Sequence, residues 1–145
     1  MFIDKYYILE KQGDVRLGKS KILIIDDATD FTVLFRKALM NDGFENVETA
    51  NDPRLVLKNF KEGSYDLLII DVVMSQMDGF SLYEEMKKID SKVKVCFITA
   101  FGTNYQALRD LLPGATTTGD IECFISKALN MRDMVKQVKR ELVRE

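Results

Sequence analysis

Histidine is absent from all 145 residues of this chain. That excludes a Ser–His or Cys–His nucleophile pair and every imidazole metal ligand. Cysteine is scarce: only Cys96 and Cys123 occur. Both sit in apolar segments, where small, reduced core residues are the expectation. A net charge of −2 gives no reason to expect non-specific attraction to nucleic acid. No apolar run is long enough to span a bilayer. The opening stretch MFIDKYYILEK breaks its apolar residues with Asp4 and Lys5, which does not suit a signal peptide. A cytoplasmic location without membrane contact is therefore expected.

What is present is an ordinary globular composition, 46% hydrophobic and 30% charged, of a length that suits one domain. A domain of this size buries roughly 68–70% of its unfolded surface and needs no disulfide or metal to fold. From residue 21 onward, short apolar runs alternate with helical spacing, the pattern of an α/β protein. Strands are predicted at Lys21–Asp26, Val47–Asn51, Tyr65–Asp71, Val93–Thr99 and Ile121–Ser126. A helix with Phe31, Leu34, Phe35, Ala38 and Leu39 on its apolar face should stop at Gly43. Asp52-Pro53 should open the next helix and Gly63 close it. Leu82, Met86 and Ile89 mark a helix near Phe80–Asp90. A short helix is predicted near Asn104–Leu112, followed by a loop over Pro113–Asp120. The last helix, about Ala128–Arg144, carries Met131, Met134, Val135, Val138 and Leu142. Strand–helix repetition of this kind gives a doubly wound, five-stranded parallel sheet with right-handed crossovers, in the expected order 2-1-3-4-5. Residues 1–20 stand outside it as an N-terminal extension, read as an extra strand or a partly ordered arm. Residues 21–145 form the domain.

Within that extension, Gly13 to Ser20 (GDVRLGKS) fits every fixed position of a phosphate-binding P-loop. A P-loop must run into a helix, whose free N–H groups and dipole hold the phosphates. Here Ser20 runs directly into a β-branched strand, so an ATPase is not expected. The chemistry lies elsewhere. Ligands of open parallel sheets bind beyond the carboxyl ends of the strands. Asp26 and Asp27 follow the first strand and Asp71 ends the third, its neighbour in the sheet. Three convergent carboxylates raise one another's pKa unless a cation offsets them, and Mg²⁺ is the natural hard, oxygen-seeking one. Thr99 ends the fourth strand and Lys127 follows the fifth. A carboxylate nucleophile, a metal seat, a hydroxyl and an ammonium around one crevice suit phosphoryl transfer, which is mostly positioning and charge neutralisation.

This ordered set resembles the response-regulator receiver family of two-component signalling, over about Lys21 to Arg144, and with it the flavodoxin-like receiver fold. KILIIDD resembles the acidic-pair strand, and YDLLIIDVVMSQMDGF the phosphoacceptor strand and its loop, with Met77-Asp78-Gly79 before the third helix. Thr99-Ala100 resembles the switch threonine and its small neighbour, and Phe124-Ile125-Ser126-Lys127 the switch aromatic and the lysine. The resemblance implies that Asp71 accepts a phosphoryl group from a histidine kinase or phosphotransfer protein. It implies Mg²⁺ on Asp27, Asp71 and the Val73 carbonyl, with Asp26 holding a metal-bound water. Thr99 and Lys127 would bind the phosphoryl oxygens, and Phe124 would turn inward as Thr99 moves. The chain is expected to be a stand-alone phosphoacceptor, not an enzyme beyond its own phosphorylation and dephosphorylation. Its output would pass through another protein, because no helix-turn-helix or basic face is visible.

Three departures stand against the family pattern. Ser75 occupies a usual proline position, which should loosen the loop. Ala128 replaces a proline that follows the lysine in a cis peptide; since cis costs about 2.5–4 kcal/mol before a non-proline, Lys127–Ala128 is expected to be trans, with an altered path for the lysine. The stretch from Thr99 to Lys127 is also longer than usual. Val73 and Phe101 are apolar where fast-decaying members place a polar residue, so a long-lived phosphorylated state is expected. Two rivals remain: a phosphorylation-independent pseudo-receiver, and a phosphatase of the haloacid-dehalogenase type, which needs a second Asp where this chain has Val73.

Overall fold

The protein is described by a computed structural model over residues 15–100 and 123–144. Its elements, in chain order, are α1 (Val15–Gly18), β1 (Lys21–Ile25), α2 (Thr29–Asn41), β2 (Asn46–Ala50), α3 (Pro53–Asn59), β3 (Leu67–Asp71), α4 (Gly79–Ile89), β4 (Lys94–Thr99), β5 (Phe124–Ser126) and α5 (Met131–Val143). The strands form one parallel sheet in the order β2-β1-β3-β4-β5. Strands covered on both faces should read as unbroken apolar runs. Leu67–Asp71 is buried at every position, and β1 and β4 are buried at all but their first residue.

Side-chain alternation along the strands divides the interior into two cores. Leu23, Ile25, Leu68, Ile70 and Phe97 meet Phe80, Leu82 and Met86 of α4 on one face, with Val56 and Leu57 of α3 beside them. Ile22, Ile24, Leu67, Ile69 and Ile98 meet Phe35 and Leu39 of α2 and Met134 and Val138 of α5 on the other. Helices thus cover both faces, as the doubly wound expectation requires.

Some local expectations change. On α2 the buried residues are Thr32, Phe35 and Leu39, whereas Leu34 is 57% exposed. Thr32 can be buried because its hydroxyl donates to the Thr29 carbonyl at 2.8 Å. Ile89 likewise turns outward, and Tyr83 takes its place on the buried face of α4. Asp52 caps α3 through the Arg54 N–H, with Pro53 in the first turn, but the helix ends at Asn59. Gly63 sits beyond it, in a turn at φ +76°. The last helix begins at Met131 because the Asn130 side chain accepts from the Asp133 N–H and caps it.

The two cysteines are not reduced core residues: Cys96 and Cys123 form a disulfide. Parallel pairing of β4 with β5 sets Phe97 opposite Phe124, which brings the preceding cysteines to a Cα–Cα distance of 4.6 Å.

The described end of the N-terminal extension is a helical turn, α1, followed directly by β1. It docks on the domain: the Gly18 carbonyl accepts from Glu45 N–H at 3.0 Å, and Leu17 packs against the α2–α5 core. A Cβ at Gly18 would meet the Gly43 carbonyl oxygen at 2.6 Å, so this glycine of the P-loop-like string serves close packing. The helix near Asn104–Leu112, the loop over Pro113–Asp120, Phe101 and Ile121 lie outside the described residues.

Candidate functional site

The carboxyl ends of β1, β3 and β5 bring together four charged side chains. Lys127, on the residue after β5, places its Nζ 2.7 Å from Asp26 Oδ2 and 3.5 Å from Asp71 Oδ2. Both carboxylates are almost entirely removed from solvent. Asp26 Oδ1 accepts from the Ala28 N–H at 2.8 Å, which turns the chain into α2. Asp71 Oδ1 accepts a long contact, 3.4 Å, from the Val73 N–H. Asp27 is exposed, and its Oδ2 accepts from the Ser75 N–H at 2.9 Å. A proline at position 75 would have no N–H to give this contact.

Asp71 is the carboxylate left least compensated. Burial first, and the neighbouring Asp26 charge second, push its pKa from 3.8 up to about 7, against the opposing pull of Lys127. Among the described residues the Lys127 ammonium pairs with two of the three carboxylates, Asp26 and Asp71. One oxygen each from Asp26, Asp27 and Asp71 lies within 4.8 Å of the others. Asp26 Oδ2 is fully buried and is met by the Lys127 ammonium. A crowded, hard-oxygen, net-negative cluster of this kind fits a divalent cation such as Mg²⁺.

The remaining predicted site residues surround this cluster. Thr99 ends β4, is 1% exposed, and its carbonyl accepts from the Lys127 N–H at 2.8 Å. Val73 is half-exposed on the loop after Asp71. Phe124 is partly buried, its ring centroid 5.5 Å from that of Phe97. Among the described residues every peptide bond is trans, Lys127–Ala128 included. The lysine backbone is nevertheless fixed, because the Ala128 N–H donates to the Ser126 hydroxyl at 3.1 Å.

Two contacts were not foreseen. A Cβ at Gly79 would stand 2.3 Å from the Asp71 carbonyl oxygen, and the Gly79 N–H donates to the Val72 carbonyl at 2.8 Å. Only glycine lets α4 start so close to the end of β3; a glycine in the first turn of a helix was the available signal. The other is the Phe31 ring, whose centroid lies 4.7 Å from Lys127 Nζ. No local pattern announces it, because Phe31 and Lys127 are far apart in sequence.

The sequence model of the response regulator receiver domain matches residues 22–139. The chain is 32% identical over 95 residues to the chemotaxis protein CheY of Bacillus subtilis, covering 66% of this chain and 79% of CheY. It is 29% identical to the response regulator receiver protein CpdR of Brucella abortus, covering 85% of this chain and 97% of CpdR. Against the transcriptional regulatory protein CpxR homolog of Haemophilus influenzae the identity is 34%, with 86% of this chain but 51% of that protein covered. In fold it resembles the non-phosphorylated HemR receiver domain of Leptospira biflexa (TM-score 0.72, 20% identity, 88% of this chain and 97% of that one). The match over most of the chain, with the sheet order and the carboxylate cluster, makes the chain a receiver domain of the response-regulator family of two-component signalling.

Proposed function

We propose that the chain is a phosphoaspartate switch in which Asp71 accepts a phosphoryl group from phosphohistidine on a histidine kinase or phosphotransfer protein. The partner must supply that histidine, because this chain has none. The observation that carries the reading is the placement of Lys127, which reaches both Asp26 and Asp71 at the carboxyl edge of the sheet. An Asp71 carboxylate oxygen attacks phosphorus, the O–P bond forms, and the N–P bond to the imidazole breaks. Lys127 then moves its charge toward the phosphoryl oxygens, and Thr99, at the adjacent strand end, offers a hydroxyl to them. A Mg²⁺ ion held by Asp26, Asp27, Asp71 and the Val73 carbonyl would offset charge on the transferring group. Movement of Thr99 would let Phe124 turn inward and reshape the β5 surface for a protein partner.

Incubation with acetyl phosphate and Mg²⁺, followed by intact mass, tests the reading. A single stable phosphoryl adduct on wild type, absent from Asp71→Asn, is expected. No adduct on wild type would instead indicate the phosphorylation-independent pseudo-receiver, and turnover of phosphate esters a phosphatase.

A further inference from the structure

Lys127 has four rotatable side-chain bonds, and its backbone anchors to Thr99 and Ser126 do not fix where the ammonium goes. Two carboxylates pull it from one side. From another side stands Phe31, whose ring centroid is 4.7 Å from Nζ, within the range over which the face of an aromatic ring attracts a cation. The ring is itself held. It packs edge-on against Phe35, with centroids 5.6 Å apart, and Phe35 is fully buried in the α2–α5 core. The first turn of α2, which carries Phe31, is fixed by Asp26 through the Ala28 N–H. Asp26 therefore acts twice, pairing with Lys127 and setting the helix start that brings the ring over the same ammonium. Among the described residues the Asp26 and Asp71 carboxylates and the Phe31 ring are the contacts that the tip makes.

We propose that Phe31 is a positioning residue for Lys127, holding the ammonium beside Asp26 and Asp71 before the phosphoryl group arrives. The proposal rests on the phosphoacceptor reading for its consequence in transfer, but the contact itself exists without it. Phe31→Leu keeps an apolar side chain of similar bulk and removes the ring; Phe31→Tyr keeps the ring.

The first readout is the NMR signal of the Lys127 ε-methylene in the unphosphorylated protein, assigned by its loss in Lys127→Met. A ring-current shift is expected in wild type and Phe31→Tyr, and its collapse in Phe31→Leu. The second is the rate of Asp71 adduct formation with acetyl phosphate in saturating Mg²⁺. Phe31→Leu should be slower by about 3- to 10-fold, with Phe31→Tyr within about 2-fold of wild type. In a Lys127→Met background, Phe31→Leu should cost nothing further, because its effect passes through the lysine. An unshifted wild-type signal would overturn the contact. An unslowed Phe31→Leu, or one equally slowed with and without Lys127, would overturn the positioning role. A wild type that takes no phosphoryl group would remove the phosphoacceptor reading and the role in transfer together, while the ring shift still decides whether Phe31 holds the lysine.

Discussion

Replacing Asp71 with Asn should make the metal-free protein more stable, and by an amount that grows with pH. In the native state the Asp71 carboxyl is lifted from 3.8 to about 7 by burial and by Asp26. In the unfolded chain it returns to its ordinary value. Well below pH 4, both states hold the proton and Asp71 costs nothing. Between about pH 4 and pH 7 the unfolded chain releases its proton while the native state keeps it, so stability falls as pH rises. Above pH 7 the loss levels off. At about 1.4 kcal/mol for each tenfold change in proton affinity, the full cost is about 4 kcal/mol. Asn has the same shape and no charge, and Lys127 keeps its 2.7 Å pair with Asp26. Part of the gain is offset by burying an amide without matched partners, leaving about 2–3 kcal/mol at pH 8. In a domain of this size that should raise Tm by roughly 5–10 °C. Urea or thermal unfolding in EDTA at pH 4, 6 and 8 measures it. A variant no more stable than wild type at pH 8, or one with the same gain at pH 4, would refute the reasoning.

Mg²⁺ should bind saturably to the unphosphorylated protein, and Asp27→Ala should weaken binding more than Asp26→Ala, as calorimetry can show. Asp26 Oδ2 is engaged by Lys127, whereas Asp27 is exposed and held toward the cluster only by the Ser75 N–H; equal, undiminished affinity in both variants would put the metal elsewhere. Opening the Cys96–Cys123 disulfide should cost about 3–4 kcal/mol, given its sequence separation of 27. Equilibrium urea unfolding with and without a thiol reductant checks this, and coincident midpoints would refute it. The Asp71 adduct should decay slowly, because neither Val73 nor Phe101 can orient an attacking water. Val73→Asn with Phe101→Glu should speed dephosphorylation in Mg²⁺; a wild type already as fast as the double variant would refute that.

Much of the sheet was legible because buried parallel strands leave a strong local mark. The ILII of β1 and the LLII of β3 cannot be amphipathic surface segments, and each runs into acid at its carboxyl end. The Asp52-Pro53 start of α3 was equally local, a cap and a first-turn proline side by side. Helix rotation was less legible. Leu34 and Ile89 fit the apolar spacing of their helices, yet Thr32 and Tyr83 turned inward, which depends on the facing strands. The start of α5 was missed although Asn130 preceded Asp133 at capping distance. The disulfide needed more: adjacency of β4 and β5 was expected, but pairing the cysteines requires the register that sets Phe97 against Phe124. The carboxylate cluster followed from strand order alone, whereas the ring of Phe31 over Lys127 depends on how α2 is rotated against the sheet.

Why such a site should require a cation can be argued from its own electrostatics. Lys127 stands closer to Asp26 than to Asp71, 2.7 Å against 3.5 Å. Asp26 also holds the Ala28 N–H at 2.8 Å, while the Val73 N–H stands 3.4 Å from Asp71. Burial first, and the Asp26 charge second, push the Asp71 pKa up to about 7 against this partial compensation. A carboxyl raised that far keeps part of its proton near neutral pH, and the protonated form is a poor nucleophile. Moving Lys127 nearer to Asp71 would not cure this, because Asp26 would then sit buried and unpaired. A further positive charge beside the three carboxylate oxygens lowers the Asp71 pKa without taking the lysine from Asp26. On the proposed reading, it would thereby expose the nucleophile and leave Lys127 available to an incoming phosphoryl group. The same arrangement accounts for the cost to stability that Asp71→Asn should relieve: full compensation of Asp71 by the protein alone would leave no unmet charge for a cation to meet.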